Sequence, residues 1–217
     1  MITGEKTVSA ETLLNSLKWR YAVKKFDPTK KLNDETWAAL QEALVLSASS
    51  FGLQPWKFVV VTTQSIKDKL PEHSWGQTQA ADCSHLVVIC RKDSIDEAYV
   101  DHYLQAIATA RGVTVESLQS YGGMMKGFIN SPSDKAEWMT KQCYIALGSL
   151  LSSAAILGVD ACPMEGFDSK AYDKILGLEA LGCRSVVVCP LGYRAKDDHY
   201  ADLAKVRFDA KEVVIAL

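Results

Sequence analysis

The chain alternates short, unbroken apolar runs with longer stretches in which apolar residues recur at helical spacing. Lys57–Thr63, His85–Cys90 and Arg184–Cys189 are rich in valine, and their lack of polar alternation predicts strands covered on both faces. A fourth β-rich run, Glu212–Ala216, predicts a last strand near the C-terminus. Helices are predicted over Ala10–Trp19, where Leu13, Leu14 and Leu17 form a stripe, and over Asp34–Ser47, where Trp37, Leu40 and Leu44 share one face. Asn33 stands at the N-cap position, and Asp34 and Glu35 put negative charge in the first turn, which suits the helix dipole. The longest predicted helix runs from Ser133 to Leu157. Its second half is small or apolar nearly all round, with Gly148, Ser149, Ser152, Ser153, Ala154 and Ala155 permitting close backbone approach. A helix without a polar face belongs at the centre of a domain or in a subunit interface.

Two segments fit this pattern less simply. Gly112–Pro132 carries Gly122, Gly123 and Gly127 beside Met124, Met125 and Phe128. Glycines weaken a helix while the apolar side chains need cover, so the segment reads either as a helix and loop packed on the domain or as a flap over a ligand. The tail, Arg194–Leu217, follows the last core run and ends in the predicted strand, a layout that suits a reach onto a partner subunit. No repeat, low-complexity tract or charge block marks a linker, and residues 1–217 read as one domain.

Composition narrows the partners. The chain has 217 residues, 48% of them apolar and 23% charged, with a net charge of −2. That is enough apolar material for a full core, and it excludes a disordered chain. A near-neutral balance also argues against nucleic acid as the main partner. The first residues lack a basic start followed by an apolar stretch, and the most apolar tract, Ala146–Cys162, is interrupted by Asp160. It falls short of the ~20 apolar residues of a membrane span, so a cytoplasmic protein with no membrane partner is expected. The six cysteines form no CxxC pair and lie largely in or beside apolar runs, which predicts buried free thiols. The four histidines show no metal-ligand spacing, and no metal site is expected. His85, at the head of an apolar run, reads as a hydrogen-bonded structural residue.

Four constellations offer chemistry. Arg20-Tyr21-Ala22-Val23-Lys24-Lys25 clusters three cations after a helix, which suits a phosphate or a developing anion but equally describes a solvated basic turn. Ser47–Trp56 supplies hydroxyls and backbone donors at a turn fixed by Pro55. Pro163-Met164-Glu165-Gly166-Phe167 offers backbone N–H groups around a glycine, and Lys205-Val206-Arg207 puts two cations on one side of an extended segment. Each has an ordinary reading as a surface turn or strand edge. The chain has no nucleophile elbow, Walker loop or GxGxxG, so hydrolase, P-loop and Rossmann readings lose support.

Taken together and in order, these pieces resemble the FMN-dependent nitroreductases, near the oxygen-insensitive NAD(P)H nitroreductase and dihydropteridine reductase branch. The resemblance runs from about Leu14 to Val214 through RYAVKKFD, SASSFGLQPWKFVVV, CSHLVVIC, AEWMTKQCYIALGSLL, LGVDACPMEGFD, VVVCPLGYRAKDD and KVR. It implies an α+β fold, a mixed sheet wrapped by helices, in an intertwined homodimer whose C-terminal strand extends onto the partner's sheet. It also implies FMN at the subunit interface and NAD(P)H as electron donor. Lys205 and Arg207, with Arg20 nearby, would hold the phosphate, and Tyr21 and Ala22 complete that motif. Lys24 would sit by the pyrimidine edge of the flavin. Ser49, Ser50 and Gly52 would come from the other subunit, and Gln77 and Gln79 would meet the ring's edge. Pro163, Met164, Glu165 and Gly166 would line one ring face, with the Glu165 N–H directed at N5. Lys24 and Glu165 are thus the implied residues at the reacting end. The implied reaction is ping-pong, two-electron reduction of nitroaromatics, quinones or similar flat acceptors; dihydropteridine or flavin reduction, or FMN sequestration without turnover, are the alternatives.

Departures from the pattern fall mainly on the substrate side. Tyr21 and Ala22 stand where His and Ser are common, Gly52 replaces a frequent Asn, and Gln79 stands near a frequent Lys. Phe51 takes the place of a smaller polar residue, and Gly123 and Met124 replace aromatics over the substrate pocket, so Phe51 and Met124 are the expected pocket residues.

Overall fold

The valine-rich runs meet in one sheet. A computed structural model describes residues 8–217. Strands β1 (Trp56–Val61), β2 (His85–Lys92), β3 (Asp160–Ala161) and β4 (Cys183–Gly192) lie in the order β1-β2-β4-β3. All three ladders are antiparallel, with Trp56 opposite Arg91, Val88 opposite both Val59 and Val188, and a register shift after Ile89. The parallel component expected of a mixed sheet is a single bridge between Ala22 and Ala161. Side chains alternate across the pleat, and here both sides are covered. Val87, Ile89, Val187, Cys189 and Leu191 join one core, while Leu86, Val88, Cys90 and Val188 join the other. Two buried faces require unbroken apolar strands, which is why no polar alternation appears in the sequence.

Helix α1 is Ala10–Trp19 and α2 is Asp34–Val45, each ended by the cap chemistry its sequence provides: Ser9 Oγ accepts from Thr12 N, and the Asn33 side chain accepts from Thr36 N. One-turn helices α3 (Gln64–Lys67) and α4 (Gln79–Asp82) fill the crossing from β1 to β2. Helices α5 (Glu97–Arg111) and α6 (Gln119–Ile129) follow β2, with α5 capped by Asp96 and closed by Gly112 in the left-handed conformation. Of the two readings of Gly112–Pro132, the helix packed on the rest of the chain is the one found. Its Gly122 is pressed against Leu104, where a Cβ would lie 2.7 Å from Leu104 Cδ1. Contact with α5 therefore overrides the low helix propensity of the three glycines.

Helix α7 (Lys135–Ile156) begins at the Asp134 cap and crosses the sheet. Met139, Cys143, Ala146, Leu150 and Ala154 are buried beneath it, whereas Tyr144, Ile145, Ile156 and Leu157 on its other side remain exposed. The all-apolar helix is thus central on one face and bare on the other. Helix α1 packs on α7, yet Leu13, Leu14, Leu17 and Trp19 each stay partly open to solvent. Helix α8 (Ser169–Leu176) packs on β4. All six cysteines are buried and free. His85 stacks on Trp37 and shares a hydrogen bond with Ser84 Oγ, as a structural histidine should.

The predicted last strand over Glu212–Ala216 is not formed within the chain. Residues Ala210–Val213 make one helical turn, α9, because Asp209 and Glu212 close a reciprocal capping box, and the residues after it are extended but unpaired. A strand needs an edge to pair with, and among the described residues this run pairs with none of the sheet's strands. Val206, Phe208, Val213, Val214, Ile215 and Leu217 are left exposed.

Candidate functional site

The first constellation is built where α1 ends. Arg20 is the C-cap, its N–H bonded to Ser16 O, and the chain then runs extended beside β3. Val23 and Phe26 point into the core, and Ala22 and Phe26 bridge to Ala161 and Arg194. The tail returns after β4 and lays Lys205 and Arg207 alongside. Arg20, Tyr21, Ala22, Lys24, Lys205 and Arg207 line one cleft of about 430 Å³, walled also by Trp19, Tyr200 and Leu203. Residues about 180 positions apart in the sequence are brought together here.

Two acidic residues, Asp198 and Asp160, hold this cleft in shape. The buried Asp198 carboxylate accepts from Tyr21 Oη (2.9 Å) and from the backbone N–H groups of Lys24 (2.9 Å), Lys25 (3.2 Å) and Tyr200 (3.1 Å). Burial pushes its pKa up, but these donors outweigh it and hold the carboxyl below the ordinary value. Asp160, at the start of β3, takes a forked pair from Arg194, Nη2 to Oδ1 at 2.6 Å and Nε to Oδ1 at 2.9 Å. The same guanidinium lies 4.5 Å from the ring centres of both Trp19 and Tyr21. The N-terminal motif and the tail are thereby fixed to the sheet.

The cleft carries uncompensated positive charge. Among the described residues, Arg20, Lys24, Lys205 and Arg207 make no ion pair with a carboxylate. Arg20 Nε is buried and has no hydrogen-bond partner among the described residues. The Arg20 pKa is lowered by burial and then by the nearby Arg207, and that of Lys205 by burial, Arg20 and Arg207. The Lys205 ammonium donates to the carbonyls of Leu17 and Arg20 at the negative end of α1. Crowded cations with an unused donor are an arrangement an anion would stabilise.

The other expected residues form two further groups outside this cleft. In the first, Met164 is buried and pinned to β4 by a two-way bridge with Val188 (2.8 and 3.1 Å). Pro163 is partly buried, and the exposed Glu165 carboxylate accepts a hydrogen bond from Tyr144 Oη on the bare side of α7. Burial and then this bond push the Tyr144 pKa up to about 12. Gly166 is flanked by the indole of Trp75, which is 81% exposed and left-handed (φ 55°), and its carbonyl accepts from Gln77 Nε2 at 3.4 Å. Gln79, by contrast, is buried in α4.

In the second group, Ser49 and Ser50 lead into a 3-10 turn with Phe51 and Gly52. Ser49 Oγ accepts from Gln54 N, Ser50 N donates to the buried Gln142, and Phe51 packs on Phe128. Met124 lies on the outward face of α6, 59% exposed. Nothing local marks Asp198, Arg194, Tyr144 or Trp75 in the sequence: each acts on a residue far away in the chain, Tyr144 the least so at 21 positions from Glu165.

Residues 17–193 match the Nitroreductase family. A Staphylococcus aureus (strain bovine RF122) protein named "Putative NAD(P)H nitroreductase" is 39% identical over 199 residues, spanning 86% of this chain and 88% of its own. A nitroreductase-like structure from Exiguobacterium sibiricum, solved in complex with FMN, superposes with a TM-score of 0.78 at 18% identity, covering 99% of this chain and all of that one. The enone reductase CLA-ER, from gut-bacterial fatty acid saturation metabolism, superposes with a TM-score of 0.74 at 25% identity, covering 98% and 99%. By the extent of the family match and by its curated relatives, this chain belongs to the Nitroreductase family.

Proposed function

We propose that this chain acts as one FMN-binding domain of a homodimeric NAD(P)H oxidoreductase that reduces flat acceptors such as nitroaromatics and quinones. The observation that carries the reading is the basic cleft, with its crowded cations and the unused Arg20 Nε donor. The residues fit the group: a dianionic phosphate would relieve the repulsion among Arg20, Lys205 and Arg207 and would take the orphaned donor. Bound FMN supplies the hydride chemistry, accepting two electrons from NAD(P)H and passing them to a second substrate.

The chain's own residues bind and orient. Arg20, Lys205 and Arg207 would hold the phosphate end, and Lys24 would supply positive charge to the reduced ring. Of Pro163–Gly166, the Glu165 and Gly166 N–H groups would face one side of the ring, because Pro163 has none and the Met164 N–H is donated to Val188 O. The segment's stiffness comes from the Met164–Val188 bridge on one side and the Trp75–Gln77 flank on the other. The turn at Ser49–Gly52 would be supplied to the flavin by the second subunit. Activated alkenes are a second acceptor class, favoured by the likeness to an enone reductase. Dihydropteridine or flavin reduction is compatible with the same residues.

The test is anaerobic absorbance of the purified protein loaded with FMN. NAD(P)H should bleach the flavin, and a nitroaromatic or quinone should restore it. Retained flavin that NAD(P)H cannot bleach would leave only a flavin-sequestering role.

A further inference from the structure

The turn at Ser49–Gln54 is strained, and the residues that hold it come from elsewhere in the fold. Phe51 (φ 57°), Gly52 (φ 69°) and Gln54 (φ 47°) all lie in the left-handed region, which a bulky side chain enters only when its surroundings hold it there. The carbonyls of Ser49 and Ser50 close local turns with Gly52 N and Leu53 N. Those of Phe51 and Leu53 are taken by tyrosine hydroxyls: Tyr121 Oη donates to Phe51 O at 2.7 Å, and Tyr99 Oη to Leu53 O at 2.9 Å and to Gln54 O at 3.0 Å. A third hydroxyl, Tyr103 Oη, fills the space beside Gly52, where a Cβ would lie 2.0 Å from it. All three tyrosines belong to α5 or α6. Below them Leu53 joins Val100, Leu104, Met125 and Ile129 in a small core of its own, separate from the two sheet cores.

We propose that the α5–α6 pair is a clamp, in which Tyr99 and Tyr121, with Tyr103 seated on Gly52, are positioning residues that hold Ser49–Gln54 in the strained shape with which it meets cofactor and acceptor. The part of this about cofactor and acceptor rests on the proposed function. The clamp itself rests on the hydrogen bonds and the backbone angles. A flap that opened by lifting α6 would strip Phe51 of its carbonyl partner and expose Leu53, so this pair of helices works as a fixed support. The departures from the family pattern on the turn, Phe51 and Gly52, are the positions the clamp touches: one gives its carbonyl to Tyr121, the other its missing Cβ to Tyr103.

The experiment is Tyr99→Phe/Tyr121→Phe in the FMN-loaded protein, which keeps both rings and removes only two hydroxyls. Hydrogen exchange of the peptide spanning 47–56 should speed up by roughly tenfold or more. The KM for a nitroaromatic or quinone should rise severalfold, with a smaller change in kcat. Unchanged exchange overturns the clamp, whatever the activity. Faster exchange with unchanged acceptor KM and unchanged FMN dissociation overturns the positioning role. Wild-type protein that neither holds FMN nor oxidises NAD(P)H defeats the proposed function instead, and the exchange result still judges the clamp. Should the double variant fail to fold, Tyr121→Phe alone gives the same readouts.

Discussion

The basic cleft and the strained turn are held by opposite means. In the cleft, Arg20, Lys205 and Arg207 repel one another, and the folded chain tolerates this because Asp198 and the Asp160–Arg194 pair anchor the backbone beneath them. At the turn no charge is involved; neutral hydroxyls hold a backbone that would otherwise relax. One region holds cations whose repulsion an anion would relieve, and the other holds a strained backbone that neighbouring helices restrain. The first suits a ligand whose charge is its handle, and the second a surface whose shape matters. Within a single chain the turn does not line the cleft, so the two come together in one site only if a second chain contributes.

The largest effect should come from breaking that meeting. Ile145→Glu puts a charge on the bare face of α7, where Tyr144, Ile145, Ile156 and Leu157 are exposed. Sedimentation should show wild-type protein at twice the 23.8 kDa chain mass, and the variant as a monomer that does not retain FMN. A variant that stays dimeric and yellow would show that this face is not the interface.

Next in size is the charge itself. Lys205→Ala and Arg207→Ala should each weaken FMN binding by about tenfold to a hundredfold, the range of a charge-assisted hydrogen bond. Since Arg207 depresses the Arg20 pKa, Arg207→Gln should leave the melting temperature of the flavin-free protein unchanged or slightly higher. Calorimetry of the apo-protein would reveal a clear loss of stability if the arginine were there for the fold instead.

Asp198→Asn attacks the anchor. Losing an ionised acceptor of four hydrogen bonds should cost on the order of 2 kcal/mol, read from urea unfolding. Its pKa is lower folded than unfolded, so its contribution is present above the unfolded carboxylate value of about 4 and is lost as pH falls through the folded one. The variant should therefore lose stability less steeply than wild type on acidification below about pH 4. Parallel acid limbs would remove Asp198 from the account.

The smallest test concerns the turn. Gly52→Ala should destabilise by about 1–3 kcal/mol, since it strains a φ of 69° and collides with Tyr103 Oη. Adding Tyr103→Phe should recover part of that loss and never all of it, because Cζ would still lie 3.0 Å away. No recovery in thermal melts would mean that Tyr103 does not set the constraint at Gly52.

Much of this frame is legible in the sequence, and the gaps have physical causes. Strands β1, β2 and β4 and helices α1, α2 and α7 follow from apolar spacing and caps, because burial on known faces dictates them. Helix α5 is hard to see in the sequence because its many polar residues mask the stripe that Val100, Leu104, Ile107 and Ala108 form between the Asp96 cap and Gly112. Helix α6 contradicts its own glycines because Gly122 admits Leu104. The terminal run over Glu212–Ala216 reads as a strand because its residues favour one, but strand formation depends on pairing, and the run pairs with neither edge strand of the sheet, β1 or β3. In the site, Arg20, Lys24, Lys205 and Arg207 were readable as cations, whereas their grouping by Asp198 and Arg194 belongs to the tertiary structure.

The claim that the crowded cations of the cleft await a phosphate is tested most directly by titrating the apo-protein with FMN and with riboflavin, the same ring lacking the phosphate, and following flavin fluorescence. The account predicts that FMN binds at least about a hundredfold more tightly and that the preference shrinks as salt is added. Equal affinities for the two flavins, or a preference indifferent to salt, would contradict it.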